Sequence, residues 1–238
     1  MVVAEAANIH FQATSSASDA ESVQVYRELI PILERNLVRI ERIGDVAKHS
    51  PAYEMTVGKL GLCHELLGNA SAAADCFSRG LQANPNNDRL LVARGILLYG
   101  TSPRALSDLE QAVRLGSPVV WPYLFLAHHY LTTNRFEECR VMCEAGFRMR
   151  GSDTAKSRFQ EWRAIAQAEL GFPPELVKVA FEAAVRMDPS NDAAMRNQSA
   201  FETSLRMPPT TRRSQWEQTT AAVVRQFGMA ERRYSLVA

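Results

Sequence analysis

Strong charge imbalance and long apolar runs are both missing from this 238-residue chain. Its 27 basic and 26 acidic residues leave a formal net charge of +1, so no protein-wide field attracts nucleic acid or an anionic membrane. No stretch approaches the roughly 20 apolar residues that are needed to span a bilayer. The apolar fraction of 46% is nevertheless enough for a substantial core. The composition therefore predicts an ordinary globular protein without a membrane span.

Cysteine is also scarce. The four cysteines are scattered through helical patterns, which indicates free thiols in a reducing compartment; they are Cys63, Cys76, Cys139 and Cys143. The N-terminal stretch from Met1 to Ala20 has no basic start followed by an apolar block, so it does not resemble a secretory signal. We therefore expect a cytoplasmic protein.

Catalytic and phosphate-binding motifs are missing as well. The pair His64-Glu65 lacks the second histidine of a zinc-protease helix, because Gly68 stands one turn later. The stretch Gly58-Lys59-Leu60-Gly61 contains a Gly-Lys pair, but it lacks the earlier glycine of a phosphate-binding P-loop and the Ser/Thr that follows the lysine. No Gly-x-Ser-x-Gly elbow occurs in the sequence. We predict no catalytic residue, no enzymatic activity and no cofactor.

One set of side chains could in principle surround zinc: His128, His129, Cys139 and Cys143. Both cysteines, however, occupy core positions of their helical pattern, where a small buried cysteine is common. The two histidines are adjacent and therefore point to different faces of their helix. We predict no metal site.

The chain does contain a recurring helical pattern. Its clearest copy is Val57-x-x-Leu60-Gly61-x-x-His64, followed by Ala73-x-x-x-Phe77 and then Pro85. Gly61 and Ala73 are small where two helices approach closely, and Phe77 fills the space under the next unit. Gly95 stands one repeat length after Gly61 and marks a second copy.

This pattern resembles the tetratricopeptide (TPR) repeat, a helix-turn-helix unit with a period of about 34 residues. Val57 and His64 stand where the family has two aromatic residues, and Arg94 stands where it normally has leucine. The resemblance covers about 54–191. It implies an all-α, right-handed superhelical stack of about four TPR-like helix pairs with flanking N- and C-terminal helices. One pair cannot bury its apolar faces alone, so neighbouring pairs share a continuous core.

The repeats set the predicted domain organisation. We expect disorder over 1–19 and an N-terminal helical segment over 20–50. Four repeats follow, at 54–87, 88–119, 120–153 and 159–191. A polar capping helix over 192–207 and an amphipathic basic helix over 208–238 complete the chain.

The resemblance also implies where a partner would bind. In similar proteins the first helix of each repeat lines a concave groove that holds a peptide. The predicted groove is apolar and aromatic at its centre with arginines at its margins, and consists of Arg89, Val92, Ile96, Tyr99, Trp121, Leu124, His128, Gln160, Arg163 and Gln167. The set of Lys, Asn and Arg that binds acidic chaperone tails in some family members is absent, since Gly58 and Leu62 hold two of its positions.

Two functions remain open from the sequence. The first is a protein-binding adaptor or scaffold whose groove takes a partner segment. The second is a structural module, in which flanking helices fill the groove or pair two chains into a homo-oligomer. The basic segment 206–238 carries Trp216 and Phe227 and could contact RNA by stacking. We expect these aromatics to face the helical stack instead, so nucleic acid is not a predicted partner.

Overall fold

The computed structural model describes residues 19–207, and all regular structure in that range is helical. Eleven helices occur there: α1 Asp19–Glu41, α2 Asp45–Lys48, α3 Pro51–Leu66, α4 Ala70–Ala83, α5 Asp88–Leu97, α6 Arg104–Arg114, α7 Trp121–Thr132, α8 Phe136–Phe147, α9 Asp153–Glu169, α10 Pro174–Met187 and α11 Asp192–Leu205. An isolated parallel bridge joins Val119 and Arg150. The predicted disordered N-terminus, apart from Asp19, and the predicted basic helix over 208–238 lie outside the described residues. None of the helices within 19–207 is long and apolar enough to cross a membrane.

The chain divides into two compact units, and the first contains α1–α6. In this unit α1 packs on α3, α3 on α4, α4 on α5 and α5 on α6. The close approach within the pair α3–α4 occurs where the pattern predicts it, because a Cβ atom at Gly61 would overlap the ring of Phe77. A Cβ atom at Gly95 would likewise overlap Leu109 in the pair α5–α6. Small residues on the first helix therefore let the bulky apolar side chains of the second helix fill the core.

The second unit contains α7–α11. Each helix packs on the next one in sequence, and α9 also contacts both α7 and α11. Gly146 in α8 adjoins Phe159 in α9, because a Cβ atom at this glycine would overlap the phenylalanine ring. Each helix pair thus shares its core with the neighbouring helix, as a stack of repeats requires.

The turn inside each helix pair reverses the chain through a residue with left-handed backbone geometry. Gly68, Gly100 and Gly171 have φ angles of +80°, +77° and +76°. Asn134 takes the same role between α7 and α8, with φ at 59°. Asparagine is among the few side chains that tolerate this region, so the third turn needs no glycine.

In the first unit, the loop between α4 and α5 is tied back to α3 by hydrogen bonds. Asn87 caps α5, since its side-chain oxygen accepts a hydrogen bond from the backbone N–H of Leu90 at 3.1 Å. Its amide donates to Glu54 in α3, and the amide of Asn84 donates to the same carboxylate at 3.0 Å. One carboxylate on the first helix therefore holds the loop that leads into the following helix.

The loop between α10 and α11 repeats this arrangement in the second unit. Asn191 caps α11 by accepting from the backbone N–H of Ala194 at 3.1 Å. Its amide donates to Ser157 Oγ at 2.9 Å and to Glu161 Oε2 at 3.2 Å, both on α9. The amide of Asn197 in α11 donates to Glu161 Oε1 at 2.8 Å. Glu161 is fully buried, so this polar network holds α11 against α9.

The hydrogen-bond partners of Arg94 explain why an arginine is accommodated at this position of α5. Its Nε donates to Asp108 Oδ2 at 2.7 Å, and a second guanidinium nitrogen donates to Oδ1 at 2.8 Å. A third nitrogen donates to Ser78 Oγ in α4 at 3.1 Å. The arginine therefore links α4, α5 and α6 from a position where the repeat family normally has leucine.

Candidate functional site

The ten predicted groove residues are divided between the two units. Four lie on or just after α5 in the first unit, namely Arg89, Val92, Ile96 and Tyr99. Six lie on α7 and α9 in the second unit, namely Trp121, Leu124, His128, Gln160, Arg163 and Gln167. Since α7 and α9 contact each other, the structure brings together the elements that carry the second group.

Three of the predicted apolar anchors are not exposed. Val92, Ile96 and Leu124 are all buried, so the prediction that they form an exposed apolar surface is wrong. The reason is that both helices are apolar on several sides: residues 90–93 of α5 and 122–128 of α7 are buried without interruption. A helix that is apolar around its whole circumference is enclosed rather than half exposed.

The other aromatic and basic residues of the predicted set differ in exposure. Arg89 is exposed in the first turn of α5, and Tyr99 is half-buried just after this helix. Trp121 is half-buried at the start of α7. His128 is buried, and its ring centroid lies 5.6 Å from that of Trp162 in α9. His128 is therefore part of the packing between α7 and α9, whereas Trp121 remains accessible in part.

The remaining three residues form a polar face on α9. Gln160, Arg163 and Gln167 recur at intervals of three and four residues, so they share one side of the helix. Gln160 Oε1, Arg163 Nε and Gln167 Oε1 are shielded from solvent and have no hydrogen-bond partner. Gln160 as a whole is only 7% exposed. We call these three side chains the α9 polar face.

Other residues of α9 are already occupied by neighbouring helices. Trp162 packs against His128 in α7, Glu161 accepts a hydrogen bond from α11, and Phe159 lies against α8. Buried polar groups are almost always paired, and leaving one unpaired costs about 1–3 kcal/mol. Atoms of this kind also occur at His64 Nδ1 and Asn197 Oδ1, but three of them share one side of α9, and we take the α9 polar face as the candidate binding site.

The charge of the α9 polar face is positive. None of the ion pairs formed within residues 19–207 includes Arg163. Burial raises the pKa of the Cys143 thiol well above its ordinary value, and the nearby charge of Arg163 opposes that rise. Because Arg163 is in none of these ion pairs, its guanidinium group lacks a carboxylate partner within residues 19–207.

The four cysteines are buried free thiols. Cys139 and Cys143 lie one turn apart on α8, with their sulfur atoms 4.0 Å apart. Burial raises the pKa of Cys63 to about 12 and also raises that of Cys76. Within residues 19–207, no group of three or more His, Cys, Asp and Glu side chains is placed to hold a metal ion.

We expect the native thiols to resist alkylation at pH 8. With a pKa of about 12, only about one Cys63 side chain in ten thousand is a thiolate at that pH. Iodoacetamide labelling followed by mass spectrometry should show slow modification in the native protein and rapid modification in urea.

Elemental analysis should find no stoichiometric metal. Zinc that is lost on Cys139→Ser or Cys143→Ser would overturn this prediction.

Comparison with known proteins supports the helical-repeat fold. No protein-family model matches the sequence, and no curated protein is similar to it in sequence. The solved structure of MamA is similar at a TM-score of 0.51 and 14% identity, over 70% of this chain and 93% of that one. The C-terminal part of a TPR repeat-containing protein from Cytophaga hutchinsonii is similar at a TM-score of 0.50 and 14% identity, over 98% of this chain and 99% of that one.

Likenesses at this identity establish the architecture alone. The chain has the tetratricopeptide fold that its repeat pattern predicts, and the all-α prediction is confirmed for the described residues. What the repeats of this chain bind has to be inferred from its own side chains.

Proposed function

We propose that this chain is a non-enzymatic protein–protein interaction module of the adaptor or scaffold type, which binds a segment of a partner protein. The observation that carries the proposal is the α9 polar face, with three shielded polar atoms that have no partner in the described chain. Arg163 and Gln167 are only half-buried as residues, so a partner can reach this face and supply the missing hydrogen bonds.

The contact surface in the second unit consists of the α9 polar face together with Trp121 on α7. Tryptophan and arginine are over-represented among the residues that dominate binding energy at interfaces. Arg89 and Tyr99 are the corresponding contacts proposed for the first unit. Both arginines favour a partner with acidic residues.

Replacing Trp121 tests this surface. Trp121→Ala should weaken binding of the partner by about 2 kcal/mol or more, if the indole is an anchor of the interface. The melting temperature should change little, because the side chain is only half-buried. The partner would be captured on the intact protein, and its dissociation constant would then be measured for wild type and variant by calorimetry.

Val179→Ala is the matched control, since Val179 is 57% exposed on α10 and lies outside the proposed surface. This variant should bind like wild type. If Trp121→Ala unfolds the protein while the remaining folded fraction keeps its affinity, Trp121 is a core residue and the adaptor proposal fails.

A second candidate is a structural module whose groove is filled by its own flanking helices or by another copy. The burial of Val92, Ile96 and Leu124 favours this alternative, because these side chains are already covered. Light scattering on the intact protein separates the two candidates. A concentration-independent monomer that captures a partner supports the adaptor, whereas a stable dimer without a partner supports the structural module.

A further inference from the structure

The outer side of α1 carries a row of exposed arginines. Arg35, Arg39 and Arg42 recur at intervals of four and three residues, so they share one side of the helix over about 10.5 Å. Arg42 follows the last residue of α1, and its backbone N–H still donates to the carbonyl oxygen of Val38 at 3.1 Å, which continues the helical turn. All three arginines are exposed. We call them the α1 arginine row.

Other residues of α1 show which side of the helix is already packed. The side-chain amide of Asn36 donates to Thr56 Oγ1 in α3 at 3.3 Å. Glu41 accepts a hydrogen bond from Arg79 in α4 at 2.6 Å, and Leu37 is buried. The α1 arginine row therefore lies on the side of the helix that is turned away from α3 and α4.

The α1 arginine row has no carboxylate partner in the described part of the chain. None of the ion pairs within residues 19–207 includes Arg35, Arg39 or Arg42. The carboxylate of Glu41 is already engaged by Arg79. Like charges one turn apart on a helix repel each other, and an anionic partner would relieve this repulsion.

Two exposed aliphatic side chains accompany the row. Val38 is 46% exposed within α1, and Ile43, just after the helix, is 76% exposed. Ile43 is the most exposed of the large apolar side chains within residues 19–207. Arginine is enriched at protein interfaces, whose cores are also apolar. We call the α1 arginine row together with Val38 and Ile43 the α1 outer surface, and it suits a partner that is both acidic and apolar.

The form of this surface favours a partner helix over a membrane or a nucleic acid. Carboxylates at positions i, i+4 and i+7 of a helix recur along one side with the same spacing as the arginines. Glu28 is exposed on the same side of α1, two turns before Arg35, so a continuous anionic surface would be repelled there. Residues 27–43 contain no aromatic side chain on which a nucleic-acid base could stack.

We propose that the α1 outer surface binds an acidic, amphipathic helix of a second protein. Carboxylates of that helix bind the α1 arginine row, and its aliphatic side chains pack against Val38 and Ile43. The helix α1 precedes the first predicted repeat, at 54–87, so this surface is separate from the predicted groove and from the α9 polar face. The inference therefore goes beyond the proposed function.

The experiment uses the full-length protein and a panel of synthetic helical peptides. Each peptide carries glutamates at i, i+4 and i+7 with leucines beside them, and a matched peptide has glutamines instead. Fluorescence anisotropy at physiological salt should show that wild type binds the best glutamate peptide about tenfold more tightly than its match. The triple variant Arg35→Gln/Arg39→Gln/Arg42→Gln should lose this preference. Arg104→Gln should keep it, since Arg104 is an exposed arginine of the same unit on α6.

A dispersed peptide tests the spacing without any protein variant. It has the composition of the glutamate peptide, but its glutamates are spread around the helix, so it should bind wild type as weakly as the glutamine match. This comparison remains decisive if a protein variant fails to fold. Equal affinity for the glutamate peptide and the dispersed peptide would overturn the inference, because the surface would then read charge alone.

Ile43→Ser tests the apolar part of the surface. It should weaken binding of the glutamate and glutamine peptides alike, by about fivefold, because an aliphatic contact is lost. The preference for glutamate should remain, and circular dichroism should show an unchanged melting temperature, since the side chain is largely exposed. An unchanged affinity would exclude Ile43 from the interface and overturn the mixed character of the surface.

Three further outcomes would overturn the inference. No peptide of the panel binds to wild type. The preference for glutamate is lost in Arg104→Gln as strongly as in the triple variant, which indicates attraction that is not specific to the α1 outer surface. Vesicles that contain phosphatidylserine sediment with wild type but not with the triple variant, while no peptide binds, which makes a membrane surface the occupant. None of these outcomes affects partner binding through Trp121, so the proposed function is tested separately.

Discussion

Phe77→Ala should lower the free energy of unfolding by about 3–5 kcal/mol, as expected for truncating a core aromatic. Phe77 is fully buried, and its ring fills the space left by the missing side chain of Gly61. Removing the ring would leave a cavity between α3 and α4 that neither helix can close without moving. Urea denaturation followed by circular dichroism measures the loss.

Val179→Ala provides the reference for this measurement. Val179 is 57% exposed, and its truncation should change stability by no more than about 0.5 kcal/mol. A loss below about 1 kcal/mol for Phe77→Ala would mean that the repeat pattern has placed this residue wrongly, because core aromatic truncations cost more than that.

Asp108→Ala should also cost about 3–5 kcal/mol, because it leaves Arg94 as a buried charge without its partner. The two side chains are 11% and 6% exposed, so solvent screens the pair little. Ser78, the other partner of Arg94, is neutral and cannot compensate the charge. The measurement is the same urea denaturation.

The double variant Arg94→Leu/Asp108→Ala should recover most of this loss. It removes the charge altogether and restores the leucine that the repeat family normally has at this position. Replacing a buried ion pair by apolar residues is often neutral or stabilising. A double-mutant cycle gives the coupling energy, and simple additivity of the two single losses would contradict a coupled pair.

The fold was predictable because its signals are local. The pattern places Gly61 where α3 and α4 approach closely, and this is confirmed. It assigns Phe77 to the space under the next unit, whereas the structure shows the ring filling the space beside Gly61 within the same helix pair. The boundaries of the repeats remain a prediction. Arg94 shows the limit of the pattern, because its partner Asp108 lies on the next helix and no spacing rule identifies it.

The candidate site was predictable only in part. Helical periodicity places Gln160, Arg163 and Gln167 on one side of α9, and their role as groove residues remains a prediction. It also places Val92 and Leu124 on an exposed face, where the structure shows them buried. Uninterrupted apolar runs in α5 and α7 were the available signal that those helices are covered on more than one side.

The helix pairs and their stacking follow from the amino-acid order alone, because the helical period, the small residues and the turn residues all act within a single repeat length. Which side chains are covered and which polar atoms are paired depends instead on neighbours that are distant in the chain, so these properties emerge only when the helices pack. Glu161 and Gln160 illustrate this difference. The Glu161 carboxylate accepts hydrogen bonds from the side-chain amides of Asn191 and Asn197, whereas Oε1 of the neighbouring Gln160 is buried without a partner.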